Sequence, residues 1–260
     1  MEPENVDGIY KMKRILIMDW DPHGEKYYYF FLFREDTYVQ VWDHSEKGDE
    51  SVPSGIKNPD IHTYDILVFP KPYCLTEWAL NYLCKEKYKG VLVVEKLLAK
   101  TEEEIHRIME RLTDIQLYVF HSRLYAPSFT VFPDGAENKV EWPYYGVMDP
   151  MYNIVPNYLD EVFEKRQVFP QLKNSSLEGD KIIFDFYGTG SLTIYPDSGK
   201  IERVKLNEAE VEWPNYFLSM KKFFDDLEEG RISRRENLDY EIRMVKEVES
   251  IRSFKEGERA

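Results

Sequence analysis

Two aspartates, a tryptophan, a histidine and one glycine follow the first apolar strand, in Met18-Asp-Trp-Asp-Pro-His-Gly24. In a dinucleotide-binding fold this turn carries glycines. The pyrophosphate must approach the backbone at a helix N-terminus, where free amides and the helix dipole favour an anion. Here only Gly24 fits that pattern. Asp19 and Asp21 would instead face the phosphates with carboxylates, and like charges ~4 Å apart repel by about 1 kcal/mol in water and by more in a drier site. Trp20 adds bulk where a glycine is wanted. Asp21, directly before Pro22, is also a residue type that caps a helix, and His23 offers an imidazole to an unconventional phosphate site. Asp43 closes the second strand 24 residues beyond Asp19, near where an acidic residue accepts the ribose hydroxyls of NAD. An aspartate that merely ends a strand would look the same.

Glu95-Lys96 closes another strand. A lysine at a strand end in a cleft is open to desolvation, which suits acid/base work. Pairing with Glu95 or a neighbouring acid is the structural alternative. His121 and Arg123 follow the next strand, and a satisfied structural histidine is the reading of the first. His44, His62 and His106 have no partners at ligand spacing. Cys74 and Cys84 lack the C-x-x-C spacing of a metal or redox pair, so neither a metal site nor a disulfide framework is expected. The sequence contains neither a Gly-x-Ser-x-Gly elbow nor a Walker motif.

The elements that must position these residues alternate. Arg14–Met18, Tyr38–Asp43, Ile66–Phe69 and Val91–Val94 are short apolar runs of the kind that form buried parallel strands, with helical stretches between them. After Lys100 the spacing predicts a helix opened by a capping box of Thr101 and Glu104, with Ile105, Ile108, Met109 and Leu112 on one apolar face. Leu117–Phe120 then closes the first domain. Beyond Ser128 the pattern turns to β-prone runs at Phe129–Phe132, Lys181–Tyr187, Ser191–Tyr195 and Ile201–Leu206, broken by Gly and Asp-Ser-Gly turns that predict hairpins. Two helices end the chain, one with Phe217, Met220, Phe224 and Leu227 on a face and stopped by Gly230, the other running from Leu238 to Phe254.

The 260 residues can bury one large or two modest cores, and 43% hydrophobic with 15% aromatic residues is a globular composition. A formal charge of −14 disfavours nonspecific contact with nucleic acid or an anionic membrane. The longest apolar run, Tyr27–Phe33, is far below the ~20 residues that span a bilayer. A cytoplasmic protein without nucleic-acid or membrane partners is expected.

Several of these segments together resemble the Gfo/Idh/MocA oxidoreductases (glucose-fructose oxidoreductase, inositol dehydrogenase and their relatives). Val91-Leu-Val-Val-Glu-Lys is similar to the family strand that ends in Glu-Lys-Pro, with Leu97 in place of the proline. Tyr64-Asp-Ile-Leu-Val-Phe-Pro-Lys-Pro72 followed by Glu77-Trp-Ala-Leu80 resembles its strand, Thr-Pro loop and helix. The final helix pair resembles the family's closing helices. Gly146-Val-Met-Asp-Pro-Met-Tyr-Asn153 is similar to the stretch that carries an aspartate and, four residues on, a histidine.

The resemblance implies an α/β fold: a Rossmann-like parallel-sheet domain over residues 12–125, then a compact α+β domain over 126–260 with a largely antiparallel sheet. It implies NAD or NADP as cofactor, held by Gly24, Asp43, Pro70 and Glu95. It implies a proton-transfer role for Lys96 with support from Asp149, while Asn153 stands where the family has histidine, and an amide cannot shuttle a proton near neutral pH. With the glycine fingerprint degenerate, the expected function is an oxidoreductase-fold protein with weakened or lost NAD(P) binding that binds a small molecule or a partner. The alternative is an active NAD(P)-dependent dehydrogenase or reductase on a sugar or cyclitol. A small metabolite or sugar, and a second copy of the chain meeting the C-terminal sheet, are the expected partners.

Overall fold

The computed structural model describes residues 12–44, 52–73, 75–125, 138–144, 150–196, 204–211 and 215–257. The chain divides into two compact units, residues 1–95 with 107–118 and residues 96–106 with 119–260.

The first unit is built on a six-stranded sheet. Its elements are β1 (Lys13–Ile17), α1 (Pro22–Leu32), β2 (Thr37–Trp42), β3 (Gly55–Ile56), β4 (Ile66–Phe69), α2 (Glu77–Glu86), β5 (Val91–Glu95), α3 (Glu102–Arg111) and β6 (Gln116–Phe120), α3 and β6 each reaching into the second unit. The strand order is β3-β2-β1-β4-β5-β6, with β2 and β4 both parallel to β1, β3 parallel to β2 and β5 parallel to β4. This is the doubly wound order, in which chain direction across the sheet reverses between β1 and β4. The apolar runs become its centre: Ile15, Leu16, Ile17, Leu67, Val68, Leu92, Val93 and Val94 are fully buried, as strands covered on both faces require. β3 is too short to give a sequence pattern. The capping box forms as expected, Glu104 N–H donating to Thr101 Oγ1 at 3.2 Å and Lys100 N–H to the Glu104 carboxylate at 3.0 Å.

The second unit contains α4 (Ser122–Tyr125), β7 (Asn138–Tyr144), α5 (Pro150–Arg166), β8 (Leu172–Glu178), β9 (Lys181–Phe186), β10 (Gly190–Pro196), β11 (Lys205–Leu206), β12 (Ala209–Glu210), α6 (Tyr216–Glu228) and α7 (Arg234–Gly257). Its sheet runs β12-β11-β7-β10-β9-β8, antiparallel except where β10 lies parallel to β7. Gly190 makes that pairing close: a Cβ there would lie 1.9 Å from the Asn138 carbonyl oxygen, at a φ of +101° that side-chain-bearing residues rarely adopt. β7 and β8 were not foreseen. Pro143 interrupts the pattern of β7, and β8 is an edge strand whose residues are mostly exposed. The expected strand at Phe129–Phe132 and the Asp-Ser-Gly turn at Gly199 lie outside the described residues. α6 ends as expected, with Gly230 at φ +68°. Among the described residues no helix is long and apolar enough to cross a membrane.

Candidate functional site

Open α/β sheets hold ligands in the crevice outside the C-terminal ends of the strands where the strand order reverses, here between β1 and β4. The loop after β1 brings Asp19 and Asp21 to it, and the loop after β4 brings Pro70 and Lys71. Lys71 Nζ donates to Asp19 Oδ2 at 2.5 Å and lies 3.5 Å from Asp21 Oδ2. Burial works against the Lys71 ammonium, but the bond to Asp19 and the charges of both aspartates outweigh it and raise its pKa. Asp21 is the N-cap of α1: its Oδ1 accepts from the amides of His23 at 2.9 Å and Gly24 at 2.7 Å. Those amides are the donors that a helix N-terminus offers a phosphate. Here a carboxylate of the chain already holds them.

Gly24 has a packing reason of its own. A Cβ at this position would sit 2.3 Å from the Asp19 carbonyl oxygen, so the glycine lets α1 lie against the preceding loop. Asp43, directly after β2, is buried. Its neighbour His44 bonds through Nε2 to the Met18 carbonyl at 2.9 Å and stacks on Trp42 with ring centroids 4.5 Å apart. Trp42 also meets Trp78 and Tyr82 of α2, which stack on each other at 5.7 Å. Glu95, the last residue of β5, is buried and accepts from Tyr27 Oη at 2.5 Å.

Lys96 begins a second constellation, within the second unit. Its ammonium is buried in an ion pair with Asp160 of α5, which is itself fully buried. Asp160 Oδ1 also accepts from Tyr240 Oη at 2.8 Å and lies 3.1 Å from His121 Nδ1. On the other side of the ring, His121 Nε2 is 2.9 Å from Glu241 Oε2, at an angle outside hydrogen-bond geometry. The second Glu241 oxygen takes the Leu98 amide at 2.6 Å. Beside them Arg123 Nη1 is 3.5 Å from Glu161 Oε1.

Burial opposes charge at both centres, and the partners win. His121, which burial alone would push down, is raised to about 9 by Asp160 and Glu241. Asp160, which burial alone would push up, is held at about 2 by Lys96 and His121. Burial and the Asp160 charge push the Tyr240 phenol well above its usual value. The arrangement is a charged, buried network in which the lysine has a fixed acceptor.

The residues singled out from sequence therefore fall in different places. Gly24 lies at the β1–β4 crevice, Pro70 directly precedes Lys71 in the loop after β4, Asp43 directly follows β2, Glu95 ends β5, and Lys96 is turned to Asp160. Asp149 lies outside the described residues, and of Asn153 only the backbone, in the first turn of α5, is described. The Lys96–Leu97 peptide is cis. Sequence reading missed Lys71, Asp160, Glu161, Tyr240 and Glu241. Lys71 stands between Pro70 and Pro72, with no spacing that ties it to an acid. Asp160 and Glu161 sit in an otherwise apolar stretch of α5, Tyr158-Leu-Asp-Glu-Val162, and acids embedded in such a stretch are the available signal for buried partners.

No family model matches the sequence, and no curated protein matches it significantly. Solved structures do. A myo-inositol dehydrogenase from Corynebacterium glutamicum superposes with a TM-score of 0.65 at 10% identity, covering 95% of this chain and 97% of that one. GenD2 from gentamicin A biosynthesis, solved in complex with NAD, gives 0.66 at 12% identity and covers 95% of each chain. An NAD-binding protein from Listeria innocua gives 0.63 at 11% identity, covering 94% of this chain and 97% of that one. With the doubly wound sheet and the second, mostly antiparallel sheet in place, the chain has the fold of the Gfo/Idh/MocA-type oxidoreductases, the family that its motifs resemble.

Proposed function

We propose that this chain uses an oxidoreductase fold as a binding scaffold in which NAD(P) binding is weakened or lost, and that it acts by binding a small metabolite, a sugar or a partner protein. The observation that carries this reading is the Asp21 cap, with Lys71 drawn to Asp19 and Asp21, at the crevice where a pyrophosphate would lie. To admit a phosphate, Asp21 would have to leave two amides, and two carboxylates would have to tolerate the incoming anion. The residues present do not fit that group. The burial of Lys96 against Asp160 supports the same conclusion for turnover, because a lysine committed to a buried carboxylate is not presented to a substrate hydroxyl.

Thermal unfolding with and without millimolar NAD(H) or NADP(H) tests this. A ligand at 100 times its dissociation constant stabilises the fold by about 2.7 kcal/mol, which a melt resolves. No shift with any of the four is expected. A clear shift with one would overturn the reading.

Such a shift would favour the alternative, an active NAD(P)-dependent dehydrogenase or reductase on a sugar or cyclitol. The observation on its side is Asp43, buried at the end of β2 where a ribose acceptor belongs. That reading requires turnover to vanish in Lys96→Ala. The expected self-association belongs to the binding scaffold too: β8 is a sheet edge with mostly exposed residues, available to a second copy.

A further inference from the structure

The helical side of the second unit holds a cavity of about 570 Å³ that the functional reading above does not use. It is within the size range of small-molecule sites. One stripe of α7 forms much of its wall, with Glu236, Asp239, Tyr240 and Arg243 at helical spacing, and Tyr125 and Phe163 add aromatic surface.

The walls are fixed. Asn237 bonds the Val119 backbone in both directions, its Oδ1 accepting from the amide at 2.7 Å and its Nδ2 donating to the carbonyl at 2.9 Å. Tyr240 is tied through its hydroxyl to Asp160, and its ring stands edge-on to His121 with centroids 4.9 Å apart. Among the lining residues Arg231 is also clamped, by Asp226 at 2.5 Å.

Two charges are left over. The Arg243 guanidinium lies over the rings of Phe163 and Phe169, 5.4 and 5.2 Å from their centroids, and makes no ion pair within 4 Å among the described residues. Glu247, one turn on, is the carboxylate that feels its charge at longer range. Glu236 likewise has no ion-pair partner among the described residues, whereas Asp239 has Arg235 at 3.6 Å. Arg243 lies seven positions after Glu236, so their backbones are ~10 Å apart along the helix axis, and both side chains are long enough to converge. Between them lies Tyr240, with Phe163 against its ring at 4.8 Å. The cavity thus offers a carboxylate at one end, a guanidinium on an aromatic shelf at the other, and flat apolar surface between.

We propose that this cavity binds a small zwitterion with an aromatic body, an aryl amino acid or a short aromatic peptide. Its ammonium meets Glu236, its carboxylate meets Arg243, and its ring packs on Tyr240 and Phe163. A guanidinium supported by aromatic faces is well suited to a carboxylate, and each charge of the ligand finds the complement that the chain itself leaves unpaired. The site shares no residue with the β1–β4 crevice, so its test does not depend on NAD(P).

The experiment is titration calorimetry of the full chain with phenylalanine and with the dipeptide Gly-Phe, using phenethylamine and 3-phenylpropionate as single-charge controls. At least one zwitterion is expected to bind about tenfold or more tightly than either control, and Glu236→Gln and Arg243→Met are each expected to weaken it about tenfold. A preference for the amino acid or for the dipeptide identifies the source of the zwitterion. The proposal is overturned if neither zwitterion binds by about 10 mM, if a single-charge control binds as tightly, or if both variants, melting as the parent does, bind as the parent does.

Discussion

Asp160→Asn is the substitution from which the buried network has most to lose. The carboxylate is fully buried and serves Lys96, Tyr240 at 2.8 Å and His121 at 3.1 Å. Asparagine keeps the shape and can still accept from one donor, but it removes the charge that compensates a buried lysine. Breaking a buried pair from one side costs about 3–5 kcal/mol, most of it the penalty of the ion left behind. At 2–4 °C per kcal/mol for a chain of about this size, the melting temperature should fall by roughly 10 °C. Urea unfolding measures the loss directly, and an unchanged slope would show that the transition itself has not altered. A cycle with Lys96→Met sharpens the test: with both ions gone the double variant should recover much of the loss, because neither charge is left buried without its partner. A loss under about 1 kcal/mol for Asp160→Asn, or strict additivity in the cycle, would refute the burial and pairing argued for Lys96.

Stability should also fall on the alkaline side. His121 is raised in the folded chain from 6.5 to about 9, so its contribution is fully present below pH 6.5 and is lost as the pH rises through about 9. At 1.36 kcal/mol per tenfold change in proton affinity this is about 3 kcal/mol, and His121→Gln should flatten that part of a stability-against-pH curve; an unchanged slope would contradict it. Asp21→Ala should cost about 1 kcal/mol through the lost cap of α1, and Asp21→Asn much less, as read by chemical denaturation. Gly24→Ala should destabilise by about 1–3 kcal/mol, since the new methyl meets the Asp19 carbonyl oxygen at 2.3 Å, and a neutral result would remove the packing explanation for this glycine.

The strands of the first sheet were readable because both of their faces are covered. Ile66–Phe69 is apolar at every position, and the sequence run and the strand coincide. The capped helix was readable because a capping box is a local device, complete within Lys100–Glu104. β7 and β8 carry no such mark, since one contains a proline and the other lies at an exposed edge, and in both the pairing partner rather than the strand's own pattern decides the structure. The crevice was half legible. Asp19, Asp21 and the shortage of glycine stood out, and the capping alternative for Asp21 is the geometry that forms. Lys71, 52 residues from Asp19, could not be linked to it by spacing. Lys96 was legible as a strand-end lysine, whereas its partner lies 64 residues away on a helix. Long-range ion pairs are fixed by topology, which a local pattern does not encode.

The two lysines differ in how firmly each is held. Lys71, Asp19 and Asp21 are all partly exposed, with side-chain exposures of 39%, 42% and 18%, so water screens their attraction and a few substitutions could undo it at little cost. Lys96 belongs to a buried set. With His121 protonated, Lys96 and His121 stand against Asp160 and Glu241, with the pair Arg123 and Glu161 also buried. Such a set adds little over apolar packing of the same volume, but no member can be withdrawn alone without leaving its partner uncompensated. Turning Lys96 toward a substrate would strand Asp160, which in turn holds Tyr240 and His121. Restoring a phosphate site at the β1–β4 crevice therefore requires changes at exposed positions, while restoring a free lysine requires concerted change at Asp160, His121 and Glu241.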